Sequence, residues 1–215
     1  MTFDEFENEV RNTLAKYIRD KIPKEKYTEL LLGFVEEGAE VTQIIRKTIH
    51  GNFHETQIDI PHLEEEIGDV LWYISHIAMQ LPNIKFEEIA ITNLQKNDKS
   101  YDDKEKISFK QFQQKVIETY RQSLPKTREE KARFFSIGLL KEIGEVSEVF
   151  GEYIVNNSNL DINKIQEKLG DTLWYLTAIS ETYGIDIDTV ARQNVQKTKS
   201  RYNKNGIAQV SSGER

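Results

Sequence analysis

Four acidic residues in the N-terminal half of the sequence stand where helices would normally carry core side chains. In residues 30–41, Glu37 interrupts an apolar stripe, three residues after Phe34 and four before Val41. Glu40 shares the face of Glu37, because residues three positions apart are neighbours on a helix. Forming a helix requires neither acid, so this spacing favours a chemical role for the pair.

The second pair of acids, Glu66 and Asp69, lies one helical turn apart at the start of residues 67–77, a run that is apolar almost all round. Carboxylates are rarely buried without a partner, and several that converge would repel each other or bind protons unless a cation entered. Oxygen ligands without histidine or cysteine favour Mg²⁺ or Mn²⁺. The residues therefore predict a metal site inside a helical bundle. The alternative is a salt-bridge network on a partly hydrated face.

The composition is typical of an all-α protein. The 215 residues include only 11 glycines and 4 prolines, 30% are charged, and the apolar residues recur at helical spacing. This length suits one large domain or two small ones. The net charge of −7 argues against non-specific binding to nucleic acid, and the absence of cysteine excludes disulfides and thiol catalysis.

The sequence contains no segment typical of a membrane or secreted protein. No apolar run approaches the roughly 20 residues that span a bilayer. The N-terminal residues 1–7 are acidic and amphipathic, which is unlike a signal peptide. We therefore expect a soluble, cytoplasmic protein with no membrane partner.

Two halves of the sequence repeat each other, which sets the domain organisation. The pattern Gly-x-x-x-Glu-x-x-Glu-Val of residues 33–41 recurs at 138–146, and Gly-Asp-x-Leu-Trp-Tyr of residues 68–73 recurs at 170–175. We predict two tandem repeats of four helices each, packed as a pseudo-dimeric bundle. The predicted domains are residues 1–103, residues 104–204 and a flexible tail, 205–215. The predicted helices are 2–20, 25–50, 61–81 and 85–99 in the first repeat and 108–123, 127–155, 161–183 and 186–203 in the second.

Together these motifs resemble the signature of the MazG-like all-α nucleoside triphosphate pyrophosphohydrolases, a superfamily that includes dimeric dUTPases and dCTP pyrophosphatases. The resemblance rests on Glu36-Glu37-x-x-Glu40 followed by Glu66-x-x-Asp69, and on a pattern similar to the family's last helix. That second pattern comprises Asn194, Lys197, Arg201 and Tyr202. Because the family's helical protomers dimerise into bundles, two copies in one chain resemble a covalently fused dimer.

The resemblance implies Mg²⁺-dependent hydrolysis of a nucleoside triphosphate to a monophosphate and pyrophosphate, as in the house-cleaning of nucleotide pools. It implies metal ligation by Glu37, Glu66 and Asp69, with Glu40 shared between the metal and the attacking water. The proton acceptor stays open, with Glu40 and Glu37 as the catalytic candidates. Mg²⁺ is the expected ion and Mn²⁺ the alternative. The expected partner is the nucleotide, and self-association of the pseudo-dimer stays open.

The two repeats differ at positions that the resemblance assigns to the site. Lys168 replaces Glu66 in the second repeat, where an ammonium group next to the remaining acids can take the place of a cation. Conversely, Ser100 stands in the first repeat where Arg201 stands in the second. We therefore expect one working site per chain, with acids from the first repeat and with Lys197, Arg201 or both crossing over to hold phosphates.

The candidate substrate-binding residues come from both repeats. Tyr73 lies one turn after Asp69 on the same helix face, where a flat ring can stack on a nucleobase. In the alternative to crossing over, Lys96 and Lys99 serve the first-repeat acids locally. The full candidate set is Tyr73, Asn93, Lys96, Asn194, Lys197 and Arg201.

Two functions of other classes are compatible with the same residues. A non-catalytic nucleotide-binding or regulatory module would keep the fold and the site without turnover, and a helical adaptor would use the carboxylates only for solubility. His50 and His54 have a spacing compatible with zinc, but Gly51 between them predicts a loop, and His76 is predicted to be structural. The complete acidic motif of the first repeat favours the enzyme.

Overall fold

The structure is a computed structural model, and it describes residues 1–49, 57–99, 101, 106–120 and 126–201. No helix in these ranges is both long and apolar enough to cross a membrane. Several sequence-based predictions fall outside these ranges and stay predictions: those on His50, His54, Ser100 and Tyr202, the domain boundary at 103/104, and the tail 205–215.

Nine helices and no strand form in the described ranges, which confirms the predicted all-α fold of two tandem repeats. The first repeat contains α1 (Phe3–Val10), α2 (Lys16–Arg19), α3 (Pro23–Ile49), α4 (Ile60–Ala78) and α5 (Phe86–Asn97). The second repeat contains α6 (Phe109–Tyr120), α7 (Arg128–Asn156), α8 (Ile162–Thr182) and α9 (Ile187–Arg201). Asp59 and Asp161 occupy equivalent N-cap positions of α4 and α8, and each accepts a backbone hydrogen bond there.

The predicted first helix, 2–20, is wrong, because the chain divides there into α1 and α2. The hydroxyl of Thr13 donates a hydrogen bond of 2.6 Å to the carbonyl of Val10 and accepts one of 2.7 Å from the indole N–H of Trp72. This turn ends α1. Pro23 begins α3, where its missing N–H costs no hydrogen bond.

The two repeats pack together through their longest helices. Helix α3 contacts α7, and within each repeat α3 contacts α4 and α7 contacts α8. Gly38 of α3 lies so close to α7 that an added Cβ would stand 2.2 Å from Cδ1 of Ile143. Tyr27 of α3 packs on Phe150 of α7, with the ring centroids 4.8 Å apart. These four helices form the bundle that carries both acidic motifs.

The helix that ends each repeat packs on the other repeat. Helix α9 contacts α4, and α5 contacts α8. A glycine permits each contact: an added Cβ on Gly68 would stand 3.0 Å from the Cβ of Asn194. An added Cβ on Gly170 would meet the Cβ of Asn93 at the same distance, 3.0 Å. This exchange of α5 and α9 brings side chains of both repeats to each motif.

Candidate metal centre

Helices α3 and α4 bring the predicted acids of the first repeat together. One carboxylate oxygen from each of Glu37, Glu66 and Asp69 lies within 4.8 Å of the other two. Glu66 is only 6% exposed, and Glu37, Glu40 and Asp69 are half-buried. The packed helix pair therefore gathers the carboxylates in a site that is partly shielded from solvent. Their mutual repulsion is strong there because the effective dielectric constant is lower than in water.

The environment of this acidic cluster raises proton affinity. Burial, a hydrogen bond with Glu66 and the charges of the neighbouring acids raise the pKa of Glu37 to about 9. Burial also raises the pKa of Glu66. Among the described residues, no lysine or arginine forms a salt bridge with Glu37, Glu40 or Glu66. These carboxylates need protons or a cation, and their oxygen atoms fit a hard divalent ion.

The fourth acid, Asp69, is compensated from the second repeat. Lys197 of α9 contacts Asp69, and its ammonium nitrogen lies 2.6 Å from Oε1 of Glu65. Asn194 donates a hydrogen bond of 2.7 Å to Asp69, and Nη2 of Arg201 lies 3.7 Å from Glu65. Burial raises the pKa of Asp69, and Lys197 opposes that shift. Three of the candidate substrate-binding residues therefore reach the first-repeat acids by crossing over on α9.

Between α4 and α9, a cavity of about 210 Å³ borders this crossing. It is lined by Pro61, Glu64, Glu65, Val190, Gln193, Asn194 and Lys197. A larger cavity, of about 510 Å³, lies where α3 ends and α7 begins, and its walls include Ile49, Arg128 and Tyr183. The smaller cavity adjoins the candidate site through Asn194 and Lys197, which both contact Asp69. None of the described residues that line the larger cavity belongs to the acidic cluster.

The reciprocal crossing carries Asn93 and Lys96 to the second repeat. Asn93 of α5 donates a hydrogen bond of 2.9 Å to Asp171 of α8. The ammonium nitrogen of Lys96 lies 2.7 Å from Asp171 and 2.7 Å from Glu167. The structure therefore does not bring these two candidate substrate-binding residues to the acidic cluster of the first repeat. The alternative in which Lys96 serves that cluster locally has no support in this geometry.

Lysines occupy the corresponding place in the second repeat. The ammonium nitrogen of Lys141 lies 2.7 Å from Glu142 and 2.7 Å from Glu145. Lys168 also contacts both acids, at 3.3 Å from Glu142. Hydrogen bonds from Lys141 and Lys168 lower the pKa of Glu145 to about 2. Within the described ranges, the residue groups able to hold a metal ion lie in the first repeat.

The ring of Tyr73 packs against the helix that carries Glu37. An added Cβ on Gly33, one turn before Glu37, would stand 2.2 Å from the hydroxyl oxygen of Tyr73. Tyr175 packs on Gly138 in the same way, since an added Cβ there would stand 2.2 Å from its ring. Because the second repeat keeps this contact beside ion-paired acids, the contact belongs to the helix packing that both repeats share.

His76 lies in the core of the first repeat. It is 1% exposed, its ring stacks on Trp72 with centroids 3.8 Å apart, and its Nδ1 lies 3.0 Å from the backbone oxygen of Trp72. Burial lowers the pKa of His76 to about 4. This environment agrees with the structural role predicted for the residue.

The sequence-based prediction did not include His62, which lies beside the acids. Its Nε2 atom is 2.8 Å from Oε1 of Glu66. One ligand atom each of Glu40, His62 and Glu66 lies within 4.8 Å of the other two. The signal in the sequence is the four-residue separation of His62 and Glu66, which places both side chains on one face of α4.

Fold and site together define an all-α protein of two tandem repeats in which one repeat carries a carboxylate cluster able to hold a metal. The model of the MazG nucleotide pyrophosphohydrolase domain matches residues 25–119 and 136–205. The chain therefore belongs to the MazG nucleotide pyrophosphohydrolase family. Comparisons with curated proteins and with solved structures gave no match. The matched ranges include the acidic cluster of the first repeat and all of α9, so family and geometry refer to the same residues.

Proposed function

We propose that this chain is a nucleoside triphosphate pyrophosphohydrolase with a single active site that depends on a divalent ion, expected to be Mg²⁺. The observation that carries the proposal is the meeting of the acidic cluster on α3 and α4 with Lys197 of α9. Carboxylates that hold a divalent ion next to a lysine that can bind phosphate suit a complex of the metal with a triphosphate. Membership of the MazG family supports the same reaction.

In this proposal the carboxylates that hold divalent metal are those of Glu37, Glu40, Glu66 and Asp69. When bound, the ion would neutralise part of the charge on the triphosphate and acidify a water molecule. Glu37 must lose its proton before it can act as a ligand, because its pKa of about 9 keeps it protonated at neutral pH. Ion binding is therefore expected to release a proton from the cluster.

In the proposed reaction, water attacks the α-phosphorus of the nucleotide. The bond between this phosphorus and the α–β bridging oxygen breaks, and pyrophosphate leaves with the electron pair. The proton of the water passes to Glu40 or to Glu37, which lie three residues apart on one face of α3. The products are a nucleoside monophosphate and pyrophosphate.

The basic residues of α9 hold the phosphate chain in this proposal. Lys197 lies between Asp69 and Glu65, so it can exchange one carboxylate contact for a phosphate contact and stay paired. Arg201 supplies a second positive charge next to Glu65. Asn194 keeps Asp69 oriented through its hydrogen bond. The cavity of about 210 Å³ next to Lys197 has room for part of the ligand.

The remaining candidates receive different roles. Tyr73 stays a candidate for contact with the base, since it packs one turn from Glu37. Asn93 and Lys96 hold Asp171 and so stabilise the second repeat. A reaction on free nucleotides fits a house-cleaning role in the cytoplasm, which is also part of the proposal.

The direct test is a panel of deoxyribo- and ribonucleoside triphosphates, canonical and modified, incubated with Mg²⁺ or with Mn²⁺. We expect monophosphate and pyrophosphate in equal amounts from at least one member. Release of orthophosphate, or no turnover with any member, would overturn the proposed reaction. A non-catalytic nucleotide-binding module would be stabilised against heat by nucleotide and metal without turnover, and an adaptor would show neither effect.

A further inference from the structure

Two groups of ligand atoms share the carboxylate of Glu66. The first is the oxygen-only group of Glu37, Glu66 and Asp69, and the second consists of Glu40, His62 and Glu66. Within each group the ligand atoms lie within 4.8 Å of one another. Two metal ions that share a carboxylate are a common arrangement in enzymes that transfer phosphoryl groups. The second group differs from the first because it contains an imidazole nitrogen.

We infer that the first repeat holds a second metal subsite, formed by Glu40, His62 and Glu66, in which Nε2 of His62 is a ligand. This inference deepens the proposed function and rests on it. His62 comes from the first turn of α4 and Glu66 from the next turn, so the helix itself sets their separation. Glu40 completes the subsite from α3. His62 is half-buried, so one side of the subsite stays open to water and to a phosphate oxygen.

The second repeat provides an internal comparison. The position equivalent to His62 is Lys164, and the position equivalent to Glu66 is Lys168, whereas the acid equivalent to Glu40 is retained as Glu145. The nitrogen ligand and the shared carboxylate have thus both been replaced by lysine in one repeat. There Glu145 contacts Lys168. This joint replacement is expected if the histidine and the shared glutamate serve the same ion.

The ligand types also determine which ions the subsite prefers. Mg²⁺ favours sites made only of oxygen atoms, whereas imidazole nitrogen is a common ligand of first-row transition ions. The subsite with His62 therefore prefers a transition ion over Mg²⁺, while the oxygen-only group accepts Mg²⁺. A mixture of Mg²⁺ and a small amount of transition ion would then fill the two subsites with different metals.

Pulsed electron paramagnetic resonance of the full chain loaded with Mn²⁺ tests the assignment without any substrate. We expect nitrogen modulation from a directly bound imidazole in the unaltered protein, and we expect a change in that modulation after growth on ¹⁵N-histidine. The variant His62→Gln should lose the modulation and bind one Mn²⁺ per chain instead of two. The matched control, Lys164→Gln, changes the equivalent position of the second repeat and should keep both the modulation and the stoichiometry.

The inference is overturned if Mn²⁺ binds to the unaltered protein without nitrogen modulation, or if the modulation persists in His62→Gln. Because the unaltered protein gives the first result, the test does not depend on how well the variant folds. Pyrophosphate release by the same preparation separates this inference from the proposed function. Turnover without nitrogen modulation would contradict only the assignment of His62 as a ligand. A protein that neither binds Mn²⁺ nor releases pyrophosphate would contradict both that assignment and the proposed function.

Discussion

Lys197 of α9 forms an ion pair with Asp69 of α4, so a lysine of the second repeat compensates an acid of the first. The equivalent pair, Lys96 with Asp171, crosses in the opposite direction at 2.7 Å. The exchange of terminal helices is therefore symmetric, although the two acidic motifs are not. Among the described residues, a cluster able to hold a metal stands at only one of the two crossings, that of α9. The second repeat contributes to the proposed site through that crossing.

The crossing predicts that Lys197 affects turnover although it lies in the repeat without the metal ligands. We expect Lys197→Gln to lower kcat/KM for the preferred nucleotide by about 10- to 150-fold, since hydrogen bonds to charged groups contribute about 1.5–3 kcal/mol. The loss should appear mainly in KM if the lysine holds phosphate equally in the ground state and the transition state. Steady-state measurement of pyrophosphate release gives both constants.

Lys96→Gln is the matched control, because it removes the equivalent lysine from the crossing that lacks the metal cluster. Its ion pairs with Asp171 and Glu167 should be lost, and the midpoint of thermal unfolding should fall slightly. Its turnover should stay close to that of the unaltered protein. Equal losses of kcat/KM in both variants would contradict the assignment of Lys197 to the phosphates.

Exchanging the residues that distinguish the two motifs gives a second prediction. Glu66→Lys places an ammonium group where Lys168 contacts two acids in the second repeat, so it should fill the first cluster with an internal cation. We expect pyrophosphate release to fall to background and the thermal stabilisation by Mg²⁺ to disappear. The opposite change, Lys168→Glu, should leave turnover intact. Turnover that survives Glu66→Lys would show that the active site lies elsewhere.

The raised pKa of Glu37 predicts how the stability of the metal-free protein depends on pH. Its ordinary pKa is 4.5 and its pKa in the folded chain is about 9, so between these values the folded state binds more protons than the unfolded state. The free energy of unfolding should therefore be largest below pH 4.5 as far as this group is concerned. It should fall as the pH rises towards 9, by less than about 1.4 kcal/mol per pH unit, the limit for one whole proton.

Urea unfolding in the presence of EDTA at pH 6, 7 and 8 measures this dependence. Glu37→Gln should flatten it, because the amide cannot lose a proton. Excess Mg²⁺ should reverse the trend, since ion binding requires the deprotonated carboxylates and becomes tighter as the pH rises. Stability that rises with pH in EDTA, and equally in Glu37→Gln, would show that Glu37 is not held protonated by its neighbours.

Much of the fold and of the acidic cluster could be predicted because both depend on local spacing. An acid inside an apolar stripe, such as Glu37 after Phe34, can be recognised from the residues within one turn of the helix. The end of α1 could not be predicted in this way. Thr13, in the turn that follows α1, accepts a hydrogen bond from the indole of Trp72, which lies 59 positions along the chain. Contacts of that kind appear only when the helices have packed.

The crossing of α9 could be proposed from the sequence but not distinguished from local pairing. Lys96 and Lys197 occupy equivalent positions in their repeats. The local sequence around each lysine does not determine which acid it pairs with. Helix packing determines the partner of Lys197, because Gly68 leaves room for Asn194, and with it α9, to approach α4. The role of His62 could not be predicted for a different reason. A single histidine near the start of a helix is common, and its proximity to Glu40 requires the α3–α4 contact.

Gly33 permits the close approach of α3 and α4 next to the acidic cluster, so its substitution tests this packing. An added Cβ would stand 2.2–2.6 Å from three atoms of the Tyr73 side chain, a rigid ring that cannot move aside by a small rotation. We expect Gly33→Ala to reduce the free energy of unfolding by about 1–3 kcal/mol through overpacking. This cost exceeds the gain of up to about 1 kcal/mol that alanine gives inside a helix.

Gly144→Ala is the control, since Gly144 also lies inside a long helix and, apart from its own helix backbone, no atom of the described residues stands within 4 Å of an added Cβ. It should stabilise the chain by about 0.5–1 kcal/mol, so the two substitutions should have opposite signs. The cost of Gly33→Ala should be smaller when it is measured in a Tyr73→Ala background than in the unaltered protein, because the clash is absent there. Helix separation also sets the distances among the carboxylates. Gly33→Ala should therefore weaken Mg²⁺ binding in calorimetry while Gly144→Ala leaves it unchanged, and equal affinities would show that the cluster tolerates a wider helix pair.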